Sequence, residues 1–112
     1  MQGHFLRFYV HENQRHGRQL LWEWLLETAS KAGIRGGSAF RAMAGFGRHH
    51  VLHEDHFFEL AGSLVVEVEF IVAEDEEARL LDIVRDSGAR VFYARIPAQF
   101  AVINAGNGDA PK

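Results

Sequence analysis

Residues 64–72 read Leu-Val-Val-Glu-Val-Glu-Phe-Ile-Val, and this run constrains the fold more than any other. Leu64, Val66, Val68, Phe70 and Val72 form one side of a period-two pattern, with Val65, Glu67, Glu69 and Ile71 on the other. Such alternation marks a strand with one face in a core and the other outside it. A strand of this kind needs neighbours, and the rest of the chain supplies three. Residues 4–10 (His-Phe-Leu-Arg-Phe-Tyr-Val) alternate in the same way. Gly36-Gly37 opens an extended segment over 38–47, and residues 90–96 form a fourth strand that Pro97 should end.

Between these runs the period becomes helical. Over 16–32, Leu21, Trp24, Leu25, Thr28 and Ala32 lie on one stripe, and Gly33 follows where a helix C-terminus favours positive φ. Over 74–87, Glu74, Asp75, Glu76 and Glu77 gather at the positive end of a helix and Arg85 lies near the other. Leu80, Leu81, Ile83 and Val84 make its apolar side, and Gly88 closes it. The order is β-α-β-β-α-β, an α+β ferredoxin-like arrangement. It predicts a four-stranded antiparallel sheet in the order 4-1-3-2 with both helices on one face. One domain over 1–103 is expected, followed by a disordered tail over 104–112, which is small, polar and holds two glycines and a proline.

The other sheet face is left without cover. Strand parity assigns it Phe5, Arg7 and Tyr9 from strand one, and Arg41 and Met43 from strand two. Strand three adds Val65, Glu67, Glu69 and Ile71, and strand four adds Tyr93 and Arg95. Glu67 and Glu69 should then lie between Arg7 and Arg41, a stabilising cross-strand pattern. This mixture is too apolar for a solvent face and too charged for a dry core, as expected of an interface between copies.

Composition removes several function classes. Without cysteine there is no disulfide framework, thiolate metal site or cysteine nucleophile. A formal charge of −3 argues against nucleic acid or an anionic membrane as main partner. No apolar run reaches the roughly 18–20 residues a spanning helix needs, and no secretory leader is seen, so a cytoplasmic protein is expected. The RNA-recognition domains that share this topology need a basic, aromatic third strand, where this chain has two glutamates. No serine sits in a nucleophile elbow and no Walker-type loop occurs, so a non-enzyme is expected.

The most specific segment is Gly33-Ile34-Arg35-Gly36-Gly37-Ser38, then Gly45-Phe46-Gly47-Arg48, then His53. With the Leu-x-Val-rich third strand, it resembles the PII-like proteins of domain-of-unknown-function family 190, relatives of the PII nitrogen-signalling proteins. The resemblance spans roughly residues 4–96. It implies a homotrimer with its sheets facing inward and a small anionic ligand, such as an adenine nucleotide, in the cleft between subunits. Loop 48–62 would then reshape to engage a protein partner. Gly45, Gly47, Arg48 and His49 would form one wall, and Arg90 from a neighbouring chain another. Glycines let backbone N–H groups approach an anion, and arginine pairs with phosphate. Gly45 and Gly47 equally suit a plain bulge and turn. His49 stands where PII proteins have glutamine, Ser87-Gly88-Ala89-Arg90-Val91 replaces their glycine-rich second phosphate loop, and the 48–62 loop has no tyrosine. These departures point away from standard ATP and 2-oxoglutarate sensing.

The loop also carries His49, His50, His53 and His56, four of the seven histidines. Imidazoles at spacings of three and four suit zinc, nickel or copper, which makes a divalent-metal-binding trimer the alternative reading. A polar loop with a structural hydrogen bond from His53 accounts for the same residues.

Overall fold

The computed structural model describes residues 1–45 and 64–105. Strand β1 spans Gln2–His11, and Arg15–His16 (β2) and Gln19–Leu20 (β3) form a small hairpin. Helix α1 covers Leu21–Lys31, β4 Ser38–Arg41, β5 Val65–Ala73, α2 Glu74–Ser87 and β6 Phe92–Gln99. The main sheet runs β4-β5-β1-β6, all antiparallel. With the hairpin set aside, this is the expected 4-1-3-2 order read from the other edge.

Leu6, Phe8 and Val10 of β1 and Val66, Val68, Phe70 and Val72 of β5 point into one core with Leu21, Leu25 and Ala29 of α1 and Leu80, Leu81 and Val84 of α2. Phe8 meets Phe70 edge to face, 5.9 Å between centroids, and stacks on Tyr93 at 5.7 Å. Each fully buried aliphatic or aromatic side chain contributes roughly 1.5–3 kcal/mol, so two regular strands suffice to hold both helices.

Boundaries differ from expectation in places, and β4 ends at Arg41 rather than near 47. The first helix begins at Leu21 rather than near 16, because Gly17 at φ 64° turns the chain back and pairs Arg15 with Leu20. Strand β6 does not stop at Pro97 but runs through it to Gln99, with Pro97 opposite His4. At an edge, a residue without N–H can turn that side away from the ladder. Of the tail over 104–112, Asn104 adopts φ 61° and Ala105 follows, and the rest lies outside the described residues.

The larger correction concerns faces. Across β1 and β6 the register pairs Leu6 with Arg95 and Phe8 with Tyr93, which puts Tyr93 and Arg95 on the helix side. Phe92, Ala94 and Ile96 take the open face instead. At the other edge Arg41 pairs with Val66 and Phe40 with Glu67, so Phe40 is on the open face and Arg41 is not. Arg41 reaches Glu12, Nε to Oε1 at 2.8 Å, and takes no part in flanking Glu67 and Glu69. β4 mixes apolar and polar residues at both parities, while β6 turns its apolar set, Phe92, Ala94 and Ile96, to the open face, so in both edge strands neighbours rather than pattern choose the faces.

Candidate functional site

Gly45 and Arg90 are the expected site residues that fall among those described. Gly47, Arg48, His49, His50, His53 and His56 lie outside them. The described residues nonetheless define where that loop is anchored. The amide of Ala42 donates to the Val65 carbonyl at 2.8 Å and that of Glu12 to the Leu64 carbonyl at 2.9 Å. Gln14 Nε2 donates to the Arg90 carbonyl at 3.3 Å. These bonds gather the end of β1, the exit of β4, the start of β5 and the start of β6 at one end of the sheet. Gly45 and Arg90 therefore share an end, but at opposite edges. The strands they flank, β4 and β6, are three inter-strand spacings apart, roughly 14 Å.

Gly45 is exposed, its φ is not in the left-handed region, and a Cβ there would meet only open space. Among the described residues nothing requires glycine at this position. Gly37 is the opposite case, since an added Cβ would come within 2.5 Å of the Phe70 ring. Arg90 is exposed, and among the described residues its guanidinium has no ion-pair partner. The remaining cations near β6 are engaged.

Sequence reasoning misses two buried carboxylates on α2 that have separate duties. Glu76 Oε1 accepts the Ala73 amide at 2.8 Å, capping the helix, while its two oxygens take Arg35 Nε at 3.0 Å and Nη2 at 2.9 Å. Burial pushes the Glu76 carboxyl up, but the Arg35 and Ala73 bonds outweigh it and hold the group below the ordinary glutamate range. Glu77 takes His4 Nδ1 at 2.7 Å and Arg95 Nε, and Arg95 Nη2 lies 3.3 Å from His4 Nε2. The three side chains form one closed ring of contacts, since Arg95 Nη2 also lies 3.5 Å from His4 Nδ1. The bond to Glu77 pushes the Arg95 guanidinium further up.

Glu77 and Arg95 also border a shallow groove of about 370 Å³ between α2 and β6, together with Tyr93, Arg85 and Asp82. Arg85 holds Asp82 at 3.3 Å. With each arginine already matched to an acid, the groove presents no free cation to an anion. Its ring ties α2 to β1 and β6, and contacts 73 and 91 residues apart leave no local trace in a sequence. Among the described residues no group of three or more histidines and acids could hold a metal ion, and no helix is long and apolar enough to cross a membrane.

Comparison with known proteins bears on this arrangement. The chain is 34% identical over 77 residues to a UPF0166 protein of Aquifex aeolicus (strain VF5), covering 69% of this chain and 73% of the relative. Its fold is similar to CPII, a nitrogen regulatory PII-like protein from Thiomonas intermedia K12, solved bound to ADP, AMP and bicarbonate. That match has a TM-score of 0.54 at 15% identity and covers 88% of this chain and 89% of CPII. A second CPII structure, bound to ADP and bicarbonate, gives 0.53 at 18% identity over the same shares. At these identities the likeness shows the fold, a PII-like one. The family model of DUF190 (Uncharacterized ACR) matches residues 3–93, and the chain belongs to that family.

Proposed function

We propose that this chain is a cytoplasmic, non-enzymatic, trimeric PII-like sensor that binds a small anionic ligand, an adenine nucleotide, between subunits. Loop 48–62 then alters the affinity of a protein partner. The observation that carries the reading is the separation of Gly45 and Arg90. They lie at one end of the sheet but on opposite edges, so a cleft between the β4 edge of one copy and the β6 edge of the next would join them. Among the described residues Gly45 has no packing reason to be glycine and Arg90 has no acid, as expected of groups kept for a ligand. CPII, of the same fold, is described bound to ADP. In this reading Gly45, Gly47, Arg48 and His49 line one wall and Arg90 the other.

The test is titration with ADP followed by calorimetry and native mass spectrometry. The wild-type chain should bind as a trimer. Arg48→Ala should abolish binding, and Arg90→Ala should weaken it at least about tenfold, the scale of one charge-assisted hydrogen bond. Because the walls come from different copies, mixing the two variants should restore one intact site per mixed trimer. Retained affinity in Arg48→Ala, or no recovery on mixing, overturns the assignment. Zinc- or nickel-sized mass increments removed by chelator would move the site to His49, His50, His53 and His56.

A further inference from the structure

The middle of the open sheet face does not balance its charge. Arg7 stands opposite Glu69 in the β1–β5 ladder, one row from the Tyr9–Glu67 pair. Its Nε lies 3.6 Å from Glu67 Oε2 and 3.5 Å from Glu69 Oε2, and it is buried with no hydrogen-bond partner. Its guanidinium carbon sits 4.6 Å over the Phe5 ring. One arginine thus lies flat on the sheet, shared between two carboxylates, instead of reaching into water. The other neighbours on this face bring no charge: Ser38 and Phe40 from β4, Ala94 and Phe92 from β6, and Tyr9 from β1. His11, opposite Val65, is the next titratable group, at the exposed end of the sheet. Among the described residues, the central patch carries one positive and two negative charges, a deficit of one.

Around this patch Phe40 is 54% exposed, Phe92 47%, Ile71 43% and Ile96 40%. The one cation of this face is already shared between its two acids, and apolar side chains frame the group, a mixture that suits closure by another of its own kind rather than by an anionic partner. Covering the patch removes water from an uncompensated carboxylate, which is costly, and the least expensive remedy is to neutralise it.

We propose that the open face closes against further copies of this chain and in doing so takes up one proton per chain at the Glu67–Glu69 pair. This rests on the threefold assembly proposed above and adds its regulation. Ordinary glutamates titrate near about 4.3, and burial beside a like charge favours the protonated form. Proton uptake on assembly makes association tighten as pH falls. With three protons per trimer, the chain concentration at half-assembly should fall by up to about thirtyfold per pH unit.

The experiment is analytical ultracentrifugation of the full chain between pH 5 and 8, repeated for Glu67→Gln and Glu69→Gln, with circular dichroism to show that each is folded. The expected result is a trimer favoured at low pH. Either isosteric variant should assemble at pH 8 at least as tightly as wild type at low pH, and with a flattened pH profile. A salt bridge of merely structural value predicts the reverse, weaker assembly on losing the charge, and that outcome overturns the proposal. So does a pH-independent wild-type trimer, which leaves threefold assembly standing. So does a profile that survives both variants and vanishes in His11→Gln. A monomer at every pH overturns both the proposal and the threefold reading beneath it.

Discussion

On the helix-covered side of the sheet Leu6, Phe8 and Val68 are wholly out of solvent. One residue along the same strands, Phe5, Arg7, Glu67 and Glu69 are only partly covered, and Phe40 and Phe92 are about half exposed. The charges near the covered face are kept to its margin and fully matched: Glu76 with Arg35 and the Ala73 amide, Glu77 with His4 and Arg95. On the open face, one arginine is shared at long range by two acids. The covered face is built so that a single chain folds. The open face is left half covered, with fewer cations than acids among its described residues.

The largest test of this contrast is a pair of truncations. Phe8→Ala should cost about 3–5 kcal/mol in chemical denaturation, since a buried ring packed on Phe70 and Tyr93 would leave a cavity. Phe40→Ala should leave the stability of the chain within about 0.5 kcal/mol and weaken self-association instead. A large loss of monomer stability in Phe40→Ala would break the comparison. Next, Gly37→Ala forces a Cβ against the buried Phe70 ring and should cost about 1–3 kcal/mol by overpacking, read from the denaturation midpoint.

Glu76→Gln tests the matched margin. The variant keeps one oxygen for the Ala73 amide but loses its charge and turns an NH2 toward Arg35, which should cost about 1–3 kcal/mol at neutral pH. The sign with pH follows from the direction of its shift. A carboxyl held below its ordinary value binds its proton less readily folded than unfolded. Its stabilisation is complete above the unfolded value and is lost as pH falls through the folded one. Thermal melts of wild type should decline below the ordinary glutamate range, with a shallower decline in the variant. The smallest effect belongs to Lys31→Ala. Its pairing with Glu27 is a solvent-exposed i,i+4 contact at 3.9 Å, so melts should move by no more than about 0.5 kcal/mol.

Much of this architecture is legible in the order of the residues. The alternation over 64–72 and 4–10 identifies the two central strands, and their buried sides hold: Leu6, Phe8, Val10, Val66, Val68, Phe70 and Val72. The acidic opening of α2 and its closure at Gly88 agree with expectation, and Gly88 adopts φ 77°. The site is legible only as a resemblance around Gly45 to His53, most of which lies outside the described residues. The ring of His4, Glu77 and Arg95 has no signature along the chain, because helix, central strand and edge strand bring together residues with no common spacing.

The order of elements and the buried sides of β1 and β5 were determined by the chain's own pattern, since a strand flanked on both sides shows strict period two. The edge strands were decided only by tertiary structure. In β4 each parity carries one apolar residue, in β6 the apolar parity turns away from the core, and in both the ladder to β5 and β1 decides the face. That choice moved Arg41 and Tyr93 off the open face and put Phe40 and Phe92 on it. It also left Arg7 alone between two glutamates, a charge imbalance that only the register of neighbouring strands could create.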